Sequence, residues 1–296
     1  MRHIFTPPTK KKNQKKKNHY RWLLAFAIIV PWAIISSIFT VLISILSSIV
    51  FDVPVIETQT DVSQNISFVF AMLLGTITTT YLFTKFIERK KYKVIGLSIK
   101  NRTSDIITGL IIGALCMLIG YILLISSNQI NFIRIYFNAK EISISIIYFF
   151  VVALSEEILF RGYILRVLMD RFSKFHALII SALVFMLLHI FNPNLSSIAW
   201  INIFLLGISF GITYIYTNNL WLPISFHFSW NLFQTLFGFS VSGVRSYSVI
   251  STKIVSPNIF NGGEFGFEGS ALAMIFIICI TGGLYSLYRN DTLSTF

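Results

Sequence analysis

Charge is what this chain has least of. Asp, Glu, Lys and Arg make up 12% of its 296 residues, about half the share of a soluble domain. Hydrophobic residues make up 55%, and the mean hydropathy is +0.74. An ordinary water-soluble fold is excluded. Cysteine is nearly absent. Cys116 and Cys279 both lie inside apolar runs, which rules out a CxxC pair and a secreted disulfide framework. They read as small buried hydrophobes. A cleavable leader is not expected either. The first apolar run, Trp22 to Phe51, covers 30 residues, against roughly 7–15 for a signal-peptide core. It reads as an uncleaved first helix, bent at Pro31. No solenoid-type repeat is present.

What is there is a series of apolar runs of membrane-spanning length. Eight are expected, at about 22–50, 66–87, 105–126, 142–165, 175–191, 198–216, 220–238 and 270–288. The fold class expected is all-α, a polytopic bundle. A single domain over 22–289, with its motif core at 142–238, would follow a basic disordered tail (1–21) and precede a short C-terminal tail (290–296).

The net charge of +12 invites a nucleic-acid reading, but its distribution argues against one. Eight of the 24 Lys and Arg fall in residues 2–21 and seven in 85–102. Both segments flank apolar runs, where basic residues mark the cytoplasmic side. The tail would also attract anionic lipid. The loop 51–65 carries Asp52, Glu57 and Asp61 without Lys or Arg, so it is placed outside. Arg166, Arg171 and Lys174 place the 166–174 connection inside. Eight spans then leave both termini in the cytoplasm. Arg134 and Lys140 run against this bias. The connection 239–269, rich in Gly, Ser and Asn, would lie outside. The Ile/Lys/Asn-rich composition fits a bacterial plasma membrane.

An ionised group at the centre of a membrane helix costs at least about 2.5 kcal/mol, so charges there need a reason. Glu156 and Glu157 sit side by side in an apolar run, with Arg161 following. Glu157 and Arg161 are i and i+4 and can pair. Glu156 is displaced by about 100° around the helix, which leaves it free to face a cavity as a general base. The alternative is a polar knot that only fixes helix packing. His189 lies as far beyond the turn near Phe172–Ser173 as Glu156 lies before it. In an antiparallel helix pair the two share one depth. Ser173 is a candidate N-cap. His227 and Asn231, again i and i+4, share a face. They could donate two hydrogen bonds to one oxyanion, or His227 could bind a metal.

In order, these elements resemble the signature of the CPBP family, the CAAX-protease and bacteriocin-processing (Abi) proteins. The pattern EExxxR, FxxxH, HxxxN appears as Glu156-Glu157…Arg161, Phe185…His189 and His227…Asn231. The stretch Gly262–Gly266 and the final span also resemble that family. The resemblance implies a membrane peptidase with a cavity between helices. It implies that Glu156 and His189 activate a water, that His227 and Asn231 hold the oxyanion, and that Glu157 and Arg161 support the site. No cofactor is demanded. A metalloprotease variant of the same reading would place zinc on Glu156, His189 and His227. The expected substrate is a membrane-associated peptide or protein: a CAAX-type tail, a leader peptide, or a pheromone or bacteriocin precursor. A non-catalytic scaffold or immunity protein of the same fold is the second reading. A proton-coupled transporter is the third, and it lacks the expected repeat symmetry.

Overall fold

A computed structural model describes residues 20–51 and 66–293. The basic tail and the acidic loop that supported the topology argument lie largely outside the described residues, as do the last three residues of the chain. Eight helices carry the fold: α1 (Arg21–Ile49), α2 (Ile66–Ile87), α3 (Thr103–Ser126), α4 (Ala139–Met169), α5 (Lys174–Leu188), α6 (Ser197–Thr217), α7 (Trp221–Leu236) and α8 (Ala271–Leu293). Each coincides with an expected span to within a few residues. The first four and α6 are long and apolar enough to cross a membrane. The chain is a multi-pass membrane protein. Its lipid-facing surface shows it directly: Val30, Ile34, Ile38 and Leu46 on α1, and Ile111, Leu115 and Ile122 on α3, are large, apolar and exposed. Water would not tolerate such faces; hydrocarbon does.

Helical order in α1 breaks at Ile28, three residues before Pro31. Proline has no N–H to offer the carbonyl of Ala27, and the interruption falls in that turn. Helix α7 is shorter than a span and differs in kind. It carries His227, Ser229, Asn231 and Gln234, all buried. It is a core helix enclosed by the others. Small residues let α3 approach it. A Cβ on Gly113 would fall 2.5 Å from the Trp230 nitrogen, and one on Gly109 2.6 Å from that of Phe226. Ser229 Oγ donates to the Leu110 carbonyl at 2.6 Å. Close backbone contact and an interhelical hydrogen bond replace the hydrophobic drive that lipid cannot supply.

Three features depart from the expectation. The fold is not purely helical: β1 (Ile130–Ile135) pairs antiparallel with β2 (Ile250–Ile254), with a bulge between Phe132 and Arg134. The alternation in these short segments is masked by their position in connections that read as loops. Helix α4 is not α-helical throughout. From Ile158 to Leu165 it winds as a π-helix, all eight residues buried. Finally, only Cys116 is partly covered; Cys279 is exposed on α8 and faces lipid.

Candidate active site

The motif residues converge from three helices, α4, α5 and α7. Glu156 and Glu157 end the α-helical part of α4, and the π-helical turn begins at the next residue. Such widened turns recur at functional sites. Arg161 lies within that turn and still reaches back, its Nη1 donating to Glu157 Oε1 at 2.7 Å. Both side chains are fully buried. Nη2 donates to the Gly207 carbonyl on α6 at 3.2 Å. The guanidinium lies 4.6 Å from the Phe185 ring and 5.2 Å from that of Phe210. These contacts hold a buried cation that hydrocarbon alone would reject. Phe185 therefore does more than pack, because its ring covers Arg161 and its carbonyl orients the next histidine.

His189 follows the last turn of α5, whose N-terminus is capped by the expected Ser173, accepting from His176 N. Its Nδ1 lies 2.7 Å from the Phe185 carbonyl. A carbonyl only accepts, so Nδ1 carries the proton and Nε2 presents a lone pair. His227 is fixed in the same sense. Its ring stacks on Phe210 at 4.7 Å, and Nδ1 donates to Glu157 Oε1 at 2.9 Å. Glu157 Oε1 thus serves Arg161 and His227 together. The sequence reading paired it with Arg161 alone.

Glu156 stands between the two imidazoles. Its Oε2 is 3.9 Å from Nε2 of His189 and 3.9 Å from Nε2 of His227. That oxygen is buried and has no hydrogen-bond partner. Arg161 makes no hydrogen bond to it. The carboxylate left free by the helical-wheel argument is the one that faces the cavity. Asn231, one turn beyond His227, lines the same cavity of about 280 Å³.

Zinc can be tested against these distances. Ligand bonds of about 2.0–2.2 Å set tetrahedral donors roughly 3.4 Å apart. The 3.9 Å separations are wider. Among the described residues no three His, Cys, Asp or Glu side chains are gathered as a metal site requires. As placed, Glu156, His189 and His227 do not close on a metal. They span a gap of the kind a water bridges.

One residue escaped the sequence reading. Glu268, in the turn before α8, lines the cavity and is 3% exposed. Its Oε1 accepts from the Ser242 backbone N–H. Asn202 on α6 donates to the carbonyls of Glu268 and Ser270 at 2.7 and 2.8 Å. Gly262 and Gly266 adopt φ of 77° and 104°, which a Cβ disfavours. A Cβ on Gly266 would also collide with the Ser240 carbonyl. Those glycines fold the connection inward and seat Glu268. The signal in the sequence is the Gly262–Gly266 stretch, whose glycines mark the turn but not the buried carboxyl it seats.

Burial raises the Glu268 carboxyl above its ordinary range, opposed by the Ser242 contacts and the nearby His189 and His227. The folded state then holds a proton that the unfolded chain has already released. Stability present at low pH is lost as pH rises through the raised value. Glu268→Gln keeps an acceptor for Ser242 and never ionises. Melting of the detergent-purified protein, followed from about pH 5 to pH 8, should show wild type losing ground to the variant as pH rises. A difference that stays constant over that range would refute the argument.

Comparison with curated proteins and with solved structures gave no match. A family comparison did. Residues 138–233 match the family described as Rce1-like, type II CAAX prenyl endopeptidase Rce1-like. That segment contains Glu156, Glu157, Arg161, His189, His227 and Asn231, and the match agrees with the motif resemblance: this part of the chain is similar to the Rce1-like CAAX-protease family.

Proposed function

We propose that the chain is an intramembrane endopeptidase that hydrolyses a peptide bond in a membrane-associated peptide or protein by a water held on Glu156 and His189. The observation that carries this is the unpartnered, buried Oε2 of Glu156 between two imidazole Nε2 atoms. A water in that gap donates to Glu156 and to the His189 lone pair. Glu156 takes a proton as the water oxygen attacks the peptide carbonyl. The carbonyl oxygen becomes an oxyanion next to Asn231 and His227. Asn231 donates through its amide. His227 donates through Nε2 only when it carries a second proton, because its first already binds Glu157. The Glu157 carboxylate stabilises that imidazolium. The C–N bond then breaks, and the proton held by Glu156 passes to the leaving amine.

No step in this scheme requires zinc. Leader peptides and pheromone or bacteriocin precursors are the substrates that fit a bacterial plasma membrane; a CAAX-type tail is the family's own association. The purified protein in proteoliposomes tests the scheme. His189→Ala should lower turnover by about 10²-fold or more, and chelators should leave wild type unaffected. Full activity in His189→Ala rejects the proposed base pair. Activity lost to a chelator and restored by zinc would reject the metal-free form.

A further inference from the structure

Helices α2 and α4 fix where the cavity opens. On α2, Phe68 and Val69, in the first turn of the helix, line the cavity; its far end delivers Glu88. On α4, Tyr148 and Glu156 line the cavity; its far end delivers Arg166 and Asp170. At that far end Arg166 binds Glu88 through two hydrogen bonds, at 3.0 and 2.5 Å. Arg21 and Lys90 join the same carboxylate, and Lys90 also reaches Asp170 at 2.9 Å. The bundle thus has a basic end, knitted by ions, and an opposite end bearing the cavity mouth. Ser242, Val244 and Ser246, in the connection after α7, lie at that mouth. Phe185 and Phe210 close the floor over Arg161.

The ends differ strongly in charge. The basic end carries Arg21 and the Lys and Arg of segment 85–102, with Arg166, Arg171, Lys174 and Arg289. The mouth end carries Arg134, Lys140, Arg245 and Lys253, and Arg245 is spent on Glu264 at 2.8 Å. Basic residues in short loops beside membrane helices stay in the cytoplasm. The side chains described along the cavity include two carboxyl groups, those of Glu156 and Glu268, and no Lys or Arg. The rest of the wall is chiefly aromatic and aliphatic. An acidic peptide would meet the Glu156 charge in a poorly solvated space and find no Lys or Arg on the described wall to pair with.

We propose that the cavity opens on the extracytoplasmic face and admits apolar, neutral or basic peptide segments presented from outside or from the outer leaflet, not the tails of cytosolic proteins. The direction of opening rests on fold and charge; the word substrate rests on the peptidase reading.

Thiol labelling in intact cells separates the two. In a background with Cys116 and Cys279 replaced by Ala, Val244→Cys should react with a membrane-impermeant maleimide added to intact cells. Ser98→Cys, exposed at the basic end, should react only after permeabilisation. Labelling of Ser98→Cys but not Val244→Cys in intact cells would overturn the proposal. A quenched peptide of neutral, apolar residues should be cut when added to intact cells at least tenfold faster than by inverted vesicles, and only with Glu156 present. Cleavage confined to inverted vesicles also overturns the proposal. Cleavage from neither side, with labelling as expected, sinks the peptidase reading and leaves the direction of opening standing.

Discussion

Glu156→Gln should abolish peptide hydrolysis while leaving the protein as stable as wild type. Glu156 Oε2 is buried without a hydrogen-bond partner, and the nearest imidazole nitrogens stand 3.9 Å away. No Lys or Arg is paired with it among the described residues; Arg161 is committed to Glu157 and Gly207. Glutamine fills the same volume and cannot take a proton from water. Folding loses no contact and sheds a poorly solvated charge, so stability is held or raised. Catalysis loses its base, which costs about 10²–10⁴-fold. Turnover and melting temperature measured on one reconstituted sample decide the matter. A variant that melts early and turns over slowly would indicate a packing role. A variant with wild-type turnover would place the base elsewhere.

The bundle was legible in sequence because lipid leaves the chain few choices. Backbone groups in hydrocarbon must be satisfied within the segment, so apolar runs of sufficient length become helices and their ends fall near the charges. The Glu157–Arg161 pair was legible for the same reason: helical spacing and the cost of a buried ion leave one solution. His189 was placed by counting from a turn, which works for an antiparallel pair on a short connection. What escaped depends on contacts distant in sequence. The π-helical turn at Ile158–Leu165 leaves no mark in hydrophobic periodicity, since all eight residues are buried. The β1–β2 pair joins residues more than a hundred positions apart. Glu268 escaped because a Gly-rich connection looks solvated until its fold is known. Its burial depends on Asn202 from α6 and Ser242 from the preceding turn. The role of His227 was half legible. Spacing put it on a face with Asn231, but only the structure gives its Nδ1 to Glu157, and that contact decides which proton it can donate.

Glu157→Gln should be the most destabilising single change in the site. Glu157 Oε1 accepts from Arg161 at 2.7 Å and from His227 at 2.9 Å. The amide oxygen of glutamine can still accept, but Arg161, 1% exposed, would lose its only anionic partner among the described hydrogen bonds. An uncompensated buried charge typically costs about 3–5 kcal/mol. The rings of Phe160, Phe185 and Phe210 around Arg161 offset only part of that, about 2 kcal/mol for a desolvated cation–ring contact. The paired change Glu157→Gln with Arg161→Met removes both charges at similar volume. It should recover most of the stability, since a buried ion pair and a packed apolar pair differ little in net energy. It should not recover activity. His227 would still lack the carboxylate that holds its ring and stabilises its second proton, so the oxyanion would lose a donor worth about 2.7–4 kcal/mol. Chemical denaturation and turnover of the two variants separate these effects. If the double variant regained stability and turnover together, Glu157 would be only the counter-ion of Arg161, and His227 would need another explanation for its place in the site.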